Sequence, residues 1–214
     1  MQTAQKSLFN SITVGGNARE KSSKETVVRV RKVLSGALPV LVKLNTNDFT
    51  PREGITPDLA ARYATWLVEL GVDAVEVSCG TYYGFQTIRG EIPGAEMARA
   101  LPFWMRPAAR LKMVCQAPGN RFKEAYNLEA ARTIKPGLKR TPLILVGGVR
   151  RLDQMEAIVS DGTADMISMS RPFIREPFLV RQFSERKSGQ ASCISCNRCF
   201  AAMFNGPPIR CYKN

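Results

Sequence analysis

The chain contains no histidine in its 214 residues. Imidazole is the side chain that most readily exchanges a proton near neutral pH. Its absence removes His-based acid–base catalysis and His metal ligands from this chain. Long apolar runs are missing too, and none reaches the roughly 18 residues a membrane-crossing helix needs. Residues 1–25, MQTAQKSLFNSITVGGNAREKSSKE, lack the apolar core of a secretory signal. They carry Lys6, Arg19, Lys21 and Lys24, and read as a polar lead-in or a weak organelle presequence. An intracellular setting, cytoplasmic or mitochondrial, is therefore expected. Acidic residues are scarce, with 18 Asp and Glu against 31 Lys and Arg, a net charge of +13. That balance suits acidic partners, so nucleic acid stays open as one of them. The basic residues are spread out, with one short cluster at Arg29, Arg31 and Lys32 and no RNP-type motif or finger spacing. The charge reads first as a solvated surface, and second as a docking surface in an assembly holding RNA or acidic protein.

What is present supports a folded α/β chain. A hydrophobic fraction of 44% allows a real core, in one large domain or two small ones. Short apolar runs of strand length alternate with helical spacing: PVLVKLN at 39–45, VDAVEVS at 72–78, PLILVGG at 142–148 and ADMISMS at 164–170. Such unbroken apolar strands fit a parallel sheet covered on both faces. Helices are expected over 24–34, from Thr56-Pro57-Asp58 to Gly71, over 125–134, over RLDQMEAIVSDG ending at Gly162, and from about Glu176 to Lys187. Leu59, Tyr63, Leu67 and Leu70 form the apolar face of the second of these. A long loop rich in Gly, Pro and aromatics is expected from Cys79 to about Pro102. Of the six cysteines, Cys193, Cys196, Cys199 and Cys211 crowd the last part of the chain. Without a signal peptide, that crowding suggests a metal or cluster site more than a disulfide framework.

Four segments in order, PVLVKLNTNDF, VDAVEVSCG, PLILVGGVR and DMISMSRPFIREP, resemble strands five to eight of the Old Yellow Enzyme family, the NADH:flavin oxidoreductases. The last two are the most specific. The branch resembled is that of 2,4-dienoyl-CoA reductase. Gly15, Gly16 and Asn17 resemble what is left of a further family segment. The resemblance implies a partial (β/α)8 TIM barrel over residues 1–190, about strands five to eight with their helices, and a cysteine-rich tail over 191–214. It implies FMN held by Lys43, Gly147, Gly148, Val149, Ser170 and Arg171. A barrel carries its site at the C-terminal ends of its strands. Paired glycines there let backbone N–H groups approach a phosphate, and an arginine can fork onto it. A cation at Lys43 would stabilise a reduced, anionic flavin.

The same resemblance implies that the first four strands, with the family's substrate-anchoring histidines and tyrosine proton donor, lie outside this sequence. The first half of the barrel would come from a second copy, another chain or a larger assembly; the remaining option is a truncated gene product. Cys193-x2-Cys196-x2-Cys199-x11-Cys211 is similar to the branch's iron–sulfur run, with one residue fewer between the second and third cysteines. A 4Fe-4S cluster, a zinc ion and a metal-free reduced tail are the alternatives. Cys79, at the end of its strand, is a reactive thiol or a small buried residue; Tyr82 and Tyr83 are a substrate wall, a proton donor or packing. Two functions follow, beside a third reading as a plain metal-binding module using the cysteine tail. One is a part or subunit of an FMN-dependent NAD(P)H oxidoreductase acting on a small enoyl substrate. The other is a catalytically inactive, enzyme-derived structural subunit of a larger assembly, mitochondrial or ribonucleoprotein.

Overall fold

Strand β1 (Leu41–Asn45) follows a left-handed turn at Ser35 and Gly36, and its backbone is tied at once to the next strand. The computed structural model describes residues 17–49, 54–80 and 89–213. The segment containing Gly15 and Gly16, and the pair Tyr82 and Tyr83, lie outside these residues. The chain divides into two compact units. The first draws on residues 1–80, 127–145 and 162–166, and the second on 81–126, 146–161 and 167–214.

The first unit begins with α1 (Asn17–Leu34) and β1. Strands β1, β2 (Ala74–Ser78), β3 (Leu143–Val146) and β4 (Met166–Ser168) form one sheet in that order. The β1–β2 and β2–β3 pairings are parallel, with Lys43 opposite Glu76 and Val77 opposite Leu145. The expected α/β class and parallel sheet are therefore present. Burial is uneven across the sheet. Val75, Val77, Leu143 and Leu145 are fully buried in the two central strands, whereas Leu41 of β1 and Met166 of β4 are about half exposed. Val42 and Leu44 of β1 are nonetheless fully buried, so exposure at the ends of the sheet is confined to particular residues.

Helix α2 (Pro57–Glu69) starts where the chemistry demands. Thr56 is extended, its hydroxyl accepts the Leu59 N–H at 3.3 Å, and Pro57 occupies the first turn. Gly71, at φ +74°, ends it. Its buried face is Ala60, Tyr63, Ala64 and Leu67, so the small alanines replace Leu59 and Leu70 of the expected stripe. Small residues let a helix lie close to its neighbours. Here α2 packs against α5 (Leu128–Ile134), itself shorter than the expected 125–134.

In the second unit the expected loop from Cys79 to Pro102 carries α3 (Gly94–Ala98), and α4 (Arg106–Gln116) follows through a 3-10 turn at Phe103–Met105. Neither is marked in the sequence: α3 is only five residues long and α4 buries none of its residues. Helix α6 (Leu152–Ser160) buries Met155 and Ile158 and stops before Gly162. The helix expected from about Glu176 to Lys187 is present as a shorter α8 (Leu179–Ser184), and an unexpected short α7 (Arg171–Arg175) precedes it, with Glu176 leaving helical geometry between them. The cysteine segment is not an irregular tail. It contains α9 (Arg198–Asn205), which packs on α3 and is held by Asn205 donating to Glu96 O at 3.0 Å. Among the described residues no helix is long and apolar enough to cross a membrane.

Candidate functional site

Two glycines follow β3 with left-handed backbone, Gly147 at φ +122° and Gly148 at φ +77°. A side chain on Gly148 would sit 2.6 Å from Lys123 O and 2.9 Å from Tyr126 Cδ1. The glycine is thus required by the close approach of segment 123–126 as well as by its own backbone. Val149 is buried. Among the described residues, the backbone N–H groups of Gly147, Gly148 and Val149 donate no hydrogen bond. Buried or turned-in N–H groups are almost always paired. Three in a row at a strand end form a set of donors suited to an anion such as a phosphate.

Ser170 precedes α7, is exposed and caps nothing with its side chain. Arg171 opens α7. Its guanidinium donates to Arg89 O at 2.9 Å and to Asn197 Oδ1. Arg171 is therefore already bonded to the cysteine segment. Arg150, next to the glycine turn, makes a second link. It stacks 3.7 Å above the Phe122 ring, donates twice to Glu124 Oε1 at 3.1 and 2.6 Å, and reaches Cys193 O at 2.9 Å. Neither Asn197 nor Glu124 is recognisable from the sequence, since nothing local marks them as partners of arginines far away in the chain.

The first unit places Lys43 in β1 with its Nζ 2.7 Å from Glu76 Oε1. Lys43 and Glu76 are register partners, so the parallel pairing brings the charges together. The cation expected beside a flavin thus arrives with a neutralising carboxylate. At the end of the same strand Asn45 is buried, donates to Asp48 Oδ1, and keeps its own Oδ1 without a partner. Thr46 closes the strand end by donating to Ser78 O at 2.7 Å. Cys79, next along, is buried.

Cys193, Cys196, Cys199 and Cys211 line a single cavity with Arg171 and Arg175, and all are free thiols. The cysteine turn is tightly held. Ser195 and Asn197 are left-handed, Glu91 N–H donates to Ser195 O at 3.0 Å, and Asn197 Nδ2 donates to Glu91 O at 2.8 Å. Gly90 meets this turn so closely that a Cβ would lie 2.1 Å from Ser195 O. Arg175 Nη1 is 3.4 Å from Cys211 Sγ and donates to Lys213 O at 2.8 Å. Burial pushes the Cys199 thiol above its ordinary pKa, against the opposing pull of the Phe200 N–H and the Arg171 charge. Yet among the described residues no three Cys, Asp or Glu side chains are grouped closely enough to hold a metal ion. The spacing of two residues puts Cys199 in the first turn of α9, one helical step from Asn197. This arrangement does not fit the zinc or iron–sulfur ligand set that the cysteine spacing offered as alternatives to a metal-free tail.

Comparison with known proteins adds to this geometry. Residues 103–190 match the NADH:flavin oxidoreductase / NADH oxidase family. The chain is 29% identical over 197 residues to a 4,4'-dithiodibutanoate disulfide reductase of Rhodococcus erythropolis, covering 90% of this chain and 48% of that protein. It is 24% identical to an NADH oxidase of Thermoanaerobacter brockii, covering 89% of this chain and 25% of that one. Among solved structures, a 2-naphthoyl-CoA reductase in complex with 2-naphthoyl-CoA superposes with a TM-score of 0.67 at 19% identity, over 92% of this chain and 26% of that structure. This last likeness is one of fold. The chain thus spans about half the length of the first relative and a quarter of the second.

Proposed function

From the match of residues 103–190 to the NADH:flavin oxidoreductase / NADH oxidase family and the likeness to its relatives, we propose that the chain forms the phosphate-binding and flavin-tuning part of an FMN-dependent NAD(P)H oxidoreductase. The observation that carries this reading is the run of N–H groups at Gly147, Gly148 and Val149 that donate no hydrogen bond among the described residues. These donors and the exposed Ser170 hydroxyl would hold the FMN phosphate, and Arg171 would add its charge from the start of α7. Lys43, its charge moderated by Glu76, is proposed for tuning the flavin on the family likeness. Asn45 Oδ1 supplies a buried acceptor at the end of β1. FMN, when bound, supplies hydride chemistry between a nicotinamide donor and an electron-poor acceptor. A small enoyl compound is the substrate class we propose.

The partial TIM barrel is completed, on this reading, by another chain, a second copy or a larger assembly that covers the exposed edges at β1 and β4. With no histidine in this chain, the groups that anchor substrate and deliver its proton come from that completing part.

A second reading has one observation in its favour. Arg171 is already committed to Arg89 O and Asn197 Oδ1. A chain that has lost the flavin would leave that arginine as a structural tie, within an enzyme-derived subunit of a larger assembly. The ultraviolet–visible spectrum of the protein, purified from its native source, separates the two. Flavin bands that disappear in a Gly148→Ala variant support the flavoenzyme part. A colourless protein that takes up no added FMN overturns it in favour of the structural subunit.

A further inference from the structure

Helix α4 and the Phe103–Met105 turn ahead of it bury no residue at all. Arg106, Ala109, Met113 and Gln116 are partly covered, and they recur at the spacing of one helical face. The opposite face is apolar and open. Phe103 is 75% exposed, Trp104 68%, Leu111 66% and Val114 68%, and Ala108 and Cys115 lie on the same stripe and are exposed. Soluble proteins seldom leave so many large apolar side chains together in water.

The surrounding charge is one-sided. Between Glu96 and Glu124 the chain has no Asp or Glu, and it carries Arg99, Arg106, Arg110, Lys112, Arg121 and Lys123. Arg106 serves the local fold, donating to Leu101 O at 3.1 Å and to Arg99 O at 3.3 Å, which fixes the turn that presents Phe103 and Trp104. Arg110 and Lys112 flank the apolar stripe on its two sides and make no ion pair among the described residues.

We infer that this face of α4 docks on an anionic lipid surface, with Phe103, Trp104, Leu111 and Val114 in the headgroup–acyl boundary and Arg110 and Lys112 against lipid phosphates or carboxylates. A helix with Trp, Phe and Leu on one face and cations along its margins is built to lie in a bilayer interface. Aromatic rings sit well at headgroup depth, and an anionic surface attracts each nearby cation. A second copy of the chain fits less well. A two-fold contact through this face would set Arg110 and Lys112 against their own mates, and no acid lies between residues 96 and 124 to relieve them. Nucleic acid would use the cations, but it gives Leu111 and Val114 nothing to bury against.

The test is sedimentation of the purified full-length protein with phosphatidylcholine vesicles, with and without phosphatidylserine. Binding is expected to the serine-containing vesicles and to weaken with salt. Arg110→Gln with Lys112→Gln should weaken it by about fivefold for each cation neutralised. Leu111→Ser with Val114→Ser should abolish it at any salt. These residues are exposed, and circular dichroism will check that the variants fold. In a Trp66→Phe background, emission from Trp104 should shift to the blue on vesicles. Failure to bind either vesicle overturns the inference. A dimer in solution that Leu111→Ser dissociates, without lipid binding, would assign the face to a second copy. RNA binding unaffected by Leu111→Ser, again without lipid binding, would assign it to nucleic acid.

Discussion

Asp165 Oδ2 accepts the backbone N–H of Leu143 at 2.7 Å, while the Asp165 N–H donates back to Leu143 O at 2.9 Å. The same two-point clamp recurs at the other edge of the sheet. Asp73 Oδ2 accepts from Val40 N at 2.7 Å, and Asp73 N–H donates to Val40 O at 2.9 Å. Each aspartate stands one residue ahead of a strand, β4 or β2, and sets where that strand begins beside its neighbour. Each is steadied by a cation, Lys135 for Asp165 and Arg31 for Asp73. The register that pairs Lys43 with Glu76 therefore begins at Asp73.

Acid should loosen the Asp165 clamp. Burial pushes this carboxyl up, but the Lys135 hydrogen bond and charge and the Leu143 N–H together hold it below the ordinary carboxylate range. A group with a lowered folded pKa contributes its stability above the unfolded value, about 3.9. That contribution is lost as pH falls through the lower folded value. Asp165→Ala leaves the Leu143 N–H without its acceptor and should cost about 1–3 kcal/mol in urea unfolding at neutral pH. The stability difference between the two proteins should shrink as pH falls through the folded value of Asp165.

Gly148→Ala should damage both the fold and the candidate phosphate site. The added methyl meets Lys123 O at 2.6 Å, and the backbone sits at φ +77°. A loss of about 1–3 kcal/mol is expected from overpacking and strain. FMN uptake, followed by quenching of flavin fluorescence, should fall more than stability does, because the donor N–H groups move with the turn.

Lys43→Met isolates Glu76, and Glu76→Gln isolates Lys43. Both side chains are partly exposed, so the coupling in a double-mutant cycle should be modest, about 0.2–1 kcal/mol. A coupling near zero would mean the pair contributes nothing to the sheet. If FMN binds, Lys43→Met should lower the flavin reduction potential, measured by dye equilibration, since a cation near the ring stabilises its anionic reduced form.

Gly90→Ala should release the cysteine turn. A Cβ there lies 2.1 Å from Ser195 O, on a backbone with φ +143°. The segment must shift, at a cost on the order of 1–3 kcal/mol. Reaction of Cys193, Cys196, Cys199 and Cys211 with a thiol reagent should become faster, while that of the exposed Cys115 stays the same.

The sequence by itself determined the strands and most of the helices. Local rules act within a few residues: Thr56 and Pro57 start α2, Gly71 and Gly162 follow helix ends, and the apolar runs at 41–45, 74–78 and 143–146 are strands. It also carried the family resemblance in PLILVGGVR and DMISMSRPFIREP, whose glycines and arginine stand in short, contiguous motifs. Only the tertiary structure decided what those residues touch. Lys43 meets Glu76 through a parallel register set by Asp73. Arg171 is spent on Arg89 and Asn197. The cysteines share a cavity without closing into a metal-ion ligand set. These contacts join residues 26 to 82 positions apart, and their energies depend on burial and register that no local pattern encodes. Helix α4 shows the converse: its apolar stripe faces outward, so periodicity alone could not say which side of it meets the protein.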